Sequence, residues 1–131
     1  MSIVLSREEV RRKRRKLKLN FDADDPLRAL HIANELRKRF GEDRVLMRRS
    51  SSRRGWHFWV KGDFSKEEIL KMREELNDCL GRLRADKVRA KMGMRIGILF
   101  YYKNKKYAEP WRKLDMKEIL KDLIFVEVKL K

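Results

Sequence analysis

Asp22 and Asp24 are the first residues along the chain whose spacing suits chemistry. They close an alternating run in which Leu17, Leu19 and Phe21 are apolar. Side chains two apart on a strand share a face, so the two carboxylates are expected to project together. Hard oxygen ligands so placed suit Mg2+ or Mn2+. Paired divalent ions favour nucleotidyl transfer because they stabilise both the attacking and the leaving oxygen. Asp22, Asp24 and Asp25 also read as an N-cap cluster for a helix opening at Pro26, and on spacing alone that reading is the stronger. A second candidate is His57, an imidazole on an apolar strand between Trp56 and Trp59. It reads either as a packed histidine or as a ligand contact. Around it stand Arg48, Arg49, Arg53 and Arg54 with Ser50, Ser51 and Ser52, and guanidinium forks and loop hydroxyls are phosphate ligands. The plainer reading of the same stretch is a solvated hairpin tip.

These residues need elements to position them. The run at 17–23 reads as a half-buried strand. Asp25-Pro26 opens a helix whose apolar face is Ala29, Ile32, Leu36 and Phe40, with Gly41 as its stop. Strands are expected near 44–49 and 55–61, joined by the loop Ser50–Arg54. Phe64-Ser65-x-x-Glu68-Ile69 combines a capping box with a hydrophobic staple and starts a helix presenting Ile69, Met72, Leu76, Cys79 or Leu80, and Leu83, with Gly81 as a candidate break and a second short helix over 86–92. Residues 95–102 read as a strand, Asp115 to Glu118 as the start of a short helix, and 124–130 as a last strand. Residues 1–16, which include most of the run Arg11 to Lys18, read as a basic arm or short helix, and 17–131 as a single domain. The core order is βαββαβ, a ferredoxin-like or RRM-like α+β layout with one antiparallel sheet, followed by a C-terminal helix and strand. With Leu19, Phe21, Trp56, Phe58 and Val60 turned toward the helices, Asp22, Asp24, His57, Trp59 and Lys61 turn to the other face. Leu99, Tyr101 and Lys103 are expected to join them. An open sheet face of this kind suits nucleic acid, with Trp59 and Tyr101 as base-stacking candidates and Lys61 and Lys103 as phosphate contacts. Burial of that face under the segment from Trp111 onward is the competing expectation.

The segment Ser51-Ser52-Arg53-Arg54-Gly55-Trp56-His57-Phe58-Trp59-Val60 resembles the Ser-Gly-Arg-Arg-Gly-x-His-x-Trp-Val motif of archaeo-eukaryotic primases. Phe21-Asp22-Ala23-Asp24 is similar to their first motif, a hydrophobic residue followed by Asp-x-Asp, and the two stand in the same order. The resemblance implies an RRM-like catalytic core, with Asp22 and Asp24 as metal ligands and His57 in contact with the phosphates of a nucleoside triphosphate. Ser52 replaces the usual glycine. Tyr101 stands where the family's third motif would carry an acid. These departures favour binding over catalysis.

Composition sets the broad class. Among 131 residues there are 36 Lys and Arg against 20 Asp and Glu, a net charge of +16, so polyanions are the expected partners. Ion-pair networks of a hot habitat explain 43% charged residues, and the absence of Thr and Gln agrees, but pairing does not explain the surplus. Hydrophobic residues at 42% exclude a disordered polyelectrolyte. Cys79 is the single cysteine, so no internal disulfide forms, which suits a reducing compartment. No apolar run approaches membrane-spanning length. The expectation is a cytoplasmic protein that binds DNA or RNA, single-stranded or primer-template. It would act in replication of a thermophilic archaeal genome or mobile element, with Mg2+ or Mn2+ as the only cofactors implied. A metal-dependent nucleotidyltransferase and a basic scaffold for an acidic protein are the alternatives.

Overall fold

The computed structural model describes residues 18–97, 99, 102, 103 and 106–130, apart from the side chains of 102, 103 and 124–130. The expected basic arm 1–16, Leu17, Tyr101 and the side chain of Lys103 lie outside the described residues.

Strand β1 (Leu19–Ala23) buries Leu19, Phe21 and Ala23, the apolar half of its alternation. Helix α1 (Pro26–Phe40) follows at once. Asp25 is its N-cap, its carboxylate accepting from the Leu27 amide, and Pro26 sits in the first turn where no N–H is needed. The cap reading therefore holds for Asp25, while Asp22 and Asp24 lie before the helix. Strands β2 (Val45–Arg49) and β3 (Trp56–Val60) form the expected hairpin. β1 pairs antiparallel with β3 so that Asp22 faces His57 and Asn20 faces Trp59. Across the hairpin Arg48 faces His57. On the underside Ala29, Ile32 and Leu36 of α1 meet Phe21, Met47, Trp56 and Phe58 in one buried cluster.

Helix α2 (Lys66–Glu75) begins with the predicted capping box, Ser65 and Glu68 each satisfying the other's amide. It ends earlier than expected. Asn77 takes a left-handed conformation (φ 55°), and a separate helix α3 (Leu80–Lys91) begins after the corner. Gly81 lies in the first turn of α3, so it does not break a helix, and the expected short helix at 86–92 is the second half of α3. The corner is held by Arg73, fully buried, whose Nε and Nη1 donate to Asp78 Oδ2 and Asp86 Oδ2 at 2.6 Å each. Burial alone would raise the Asp86 carboxyl, but hydrogen bonds from Arg73, the Gly97 amide and Arg89 hold it below the usual range.

Beyond α3 the order departs from the expected layout. Residues 95–97 run past the free edge of β1 without forming a ladder. The described strands in this region are two-residue pieces, β4 (Tyr102–Lys103) and β5 (Lys106–Tyr107), paired with each other. β6 (Arg112–Lys113) pairs with the outer edge of β2, giving a four-stranded antiparallel sheet of order β1-β3-β2-β6. The expected last strand at 124–130 is instead the second half of helix α4 (Met116–Leu130). That stretch alternates like a strand yet also continues the helical spacing of Met116, Ile119 and Leu123. A helix already nucleated upstream extends more readily than a new strand forms. α4 lies against α1, and Ile119 enters the core. The protein is thus α+β, with four helices and an antiparallel sheet among the described residues. No helix among them is long and apolar enough to cross a membrane.

Candidate functional site

On the sheet face away from α1, the end of β1 and the β2–β3 hairpin enclose a pocket of about 420 Å³. Its lining is Asp22, Asp24, His57, Ser50, Ser51, Ser52 and Arg54. Three local features build it. Strand alternation puts Asp22 and His57 on the same face and pairing makes them neighbours, with His57 Nε2 3.7 Å from Asp22 Oδ1. The loop is pinned by turn bonds, the Arg53 amide to Ser50 O at 3.0 Å and the Ser50 amide to Gly55 O at 3.1 Å, with Arg53 in the left-handed region (φ 63°). Gly55 lets the loop lie against β1, because a Cβ there would stand 2.3 Å from Ala23 O and 2.8 Å from Asp24 Cα. A side chain at 55 would push apart the two walls that carry the serines and the aspartates.

His57 is 4% exposed. Arg48 Nε donates to its Nδ1 at 3.0 Å. A guanidinium only donates, so Nδ1 accepts and the neutral ring carries its proton on Nε2, the side facing Asp22. Burial, then the nearby charges of Arg48 and Arg82, push its pKa down to about 3. The ring is therefore a neutral hydrogen-bond donor at neutral pH, neither a cation nor a proton acceptor on the pocket side. Asp22 is fixed through its backbone too, its amide donating to Asp78 Oδ1 at 2.8 Å.

Of the expected contact residues, Ser51, Ser52 and Arg54 join the pocket with the candidate trio. The others do not. Arg49 turns to the opposite face, where Asp122 of α4 receives it through two hydrogen bonds (2.7 and 2.5 Å) and its guanidinium covers the Trp56 ring at 3.8 Å. Arg53 pairs with Glu109 at 3.3 Å. Arg48 is buried behind His57 and stacks on Trp111, 4.2 Å from the ring centroid. Trp59 stands on the predicted face but is half-buried against Trp111, with ring centroids 5.7 Å apart. Lys61 is exposed past the far end of β3, away from the pocket. The segment after residue 110 thus covers part of the face with one indole, while α4 goes to the other side.

Sequence reasoning missed Asp78 and Arg82, which approach the outer edge of β1, whereas Trp111 beside His57 agrees with the competing expectation that the segment from Trp111 onward covers this face. Only the density of charge at the α2–α3 corner hinted at the first two. Among the described residues no group of three or more His, Cys, Asp or Glu is arranged to hold a metal ion. Asp22 and Asp24 are hard oxygen ligands of the right kind for Mg2+ or Mn2+, but an ion there would need further ligands from a substrate or water. Neither a family model, nor a curated protein, nor a solved structure matches this chain.

Proposed function

We propose that this chain binds nucleic acid and nucleotide phosphates through a primase-polymerase-like core, an RRM-like variant of the ferredoxin-like layout. The observation that carries the reading is the shared pocket: two carboxylates on one wall, and serine hydroxyls, Arg54 and a neutral imidazole N–H on the other. A phosphate satisfies the donors but is repelled by the acids. A bare cation satisfies the acids and leaves the donors idle. A phosphate chain bridged by a divalent ion satisfies both walls, as in nucleotide sites where Mg2+ takes one or two carboxylates plus phosphate oxygens. The β1-β3-β2 order and the net charge of +16 support the same reading.

A second reading, metal-dependent nucleotidyl transfer, is favoured by Asp22 and Asp24 lining the pocket together. A divalent ion held there would supply charge stabilisation to a transferring phosphoryl group. The chain's own share would be positioning: Arg54 and the serines orient the phosphates, and His57 donates a hydrogen bond from Nε2.

Both readings are tested by calorimetric titration of the full chain with a nucleoside triphosphate, with Mn2+ and with EDTA. Binding is expected with Mn2+ and weakened at least about tenfold by EDTA or by Asp22→Ala with Asp24→Ala, a difference of ~1.4 kcal/mol. Affinity indifferent to both the ion and the double substitution removes the two aspartates from the site. Incorporation of labelled nucleotide into a primed template then separates catalysis from binding.

A further inference from the structure

A second pocket, of about 220 Å³, lies on the same sheet face at the other end of β1. Lys18, Asn20, Arg48, Arg95, Leu99 and Trp111 line it. Its floor is tied to the fold. Asn20 Nδ2 donates to Gly97 O at 2.7 Å, and the Gly97 amide donates to Asp86 Oδ2 at 3.0 Å. Gly97 has φ 76°, a conformation that favours glycine, and a Cβ there would stand 3.0 Å from Lys18 O. The close approach of residues 95–97 to β1 brings Arg95 and Lys18 to one opening, and both are exposed.

Its chemistry differs from that of the first pocket. Three cationic side chains line it and, among the described residues, no carboxylate does. An anion therefore needs no metal bridge there. Indole rings stand beside the cations: Trp111 in the wall, and Trp59 next to it with Lys18 Nζ 5.0 Å from its ring centroid. Cations interleaved with aromatic rings suit a strand whose bases are unstacked, because a paired base keeps its faces against its neighbours. Arg48 joins the two sites. It orients His57 in the first pocket and lines the second.

We infer that this second pocket is a metal-independent subsite for single-stranded nucleic acid, in which Lys18 and Arg95 hold a phosphodiester and Trp111 supports the adjoining base. The inference rests on the nucleic-acid reading of the chain and adds a place and a polarity to it. The strand crosses the sheet from a metal-assisted pocket at the hairpin to a purely cationic one beside residues 95–97.

The test is fluorescence anisotropy of a labelled oligothymidylate with the full chain, in EDTA and over a range of salt. Lys18→Ala with Arg95→Ala is compared with Lys38→Ala with Lys71→Ala, which removes the same charge from exposed positions on α1 and α2. The first pair is expected to weaken binding at least about tenfold and to lower the log–log salt slope by about 0.7, the loss of one phosphate contact on a single strand. The control pair is expected to change affinity less than about threefold. Equal losses in the two pairs, no loss in the first, or no oligonucleotide binding by the unaltered chain would overturn the subsite. Titration with Mn2+ and a nucleoside triphosphate, run on the same variants, keeps the two readings apart. Lys18→Ala with Arg95→Ala is expected to leave it unchanged. If the unaltered chain binds the oligonucleotide as described but takes up no triphosphate, the first-pocket proposal falls and the second subsite stands.

Discussion

The imidazole of His57 illustrates how much a single residue's surroundings decide. In an unfolded chain it would titrate near 6.5, whereas burial and then Arg48 and Arg82 hold it neutral down to about 3. Between those values the unfolded state binds the extra proton, so this group contributes stability above pH 6.5 that is lost as pH falls toward 3. The slope from this one group approaches ~1.4 kcal/mol per pH unit at most. Urea unfolding at pH 4, 5, 6 and 7 is expected to show a steeper loss in the natural chain than in His57→Gln. Parallel pH profiles would mean that the ring is not held neutral. That His57 shares a sheet face with Asp22 was legible from alternation alone. Its protonation state was not, because Arg48 as its partner depends on cross-strand register, which a single sequence leaves open. The same holds for Arg49, one residue on from Arg48. The pleat sends it to the opposite face, where it serves α4 instead of a phosphate.

At the scale of elements, α4 is fastened to the sheet at one point that can be tested. Asp122 accepts from Arg49 and from Trp56 Nε1 (2.8 Å), so one carboxylate satisfies a guanidinium and an indole. Asp122→Ala leaves both donors partly buried without their acceptor and is expected to cost about 2–3 kcal/mol, read as a lower urea midpoint with unchanged m-value. A shift under about 0.5 kcal/mol would make the contact incidental. Elements with terminal punctuation were readable from sequence: Asp25-Pro26 and Gly41 around α1, and Ser65 with Glu68 at α2. After residue 92 the start of α4 at Asp115 was readable too, but the length of that helix and the short strands before it were not. The 124–130 stretch satisfies a strand pattern and a helical one together, and periodicity does not separate them in a short apolar run. The α2–α3 corner was hidden for another reason. It is set by Arg73 reaching two aspartates, a tertiary interaction with no local signature.

For the whole molecule, the surplus of positive charge was evident at once, while its distribution was not. Three of the four arginines around the hairpin are engaged within the fold, and Arg54 is the one that lines the first pocket. Cations from distant parts of the chain, Lys18 and Arg95, meet instead at the second. The Arg73 corner bears on both. Through Asp78 it secures the amide of Asp22, and through Asp86 the amide of Gly97. Two backbone hydrogens far apart in sequence thus have acceptors joined by one guanidinium, with Arg82 and Arg89 as second donors to the same carboxylates. In native-state deuterium labelling they are expected to become accessible through a common opening event, with equal protection factors and the same response to low denaturant. Labelling of Asp22 that runs ahead of Gly97 by orders of magnitude would divide that corner into separate units. If the two keep pace, both ends of β1 open and close together.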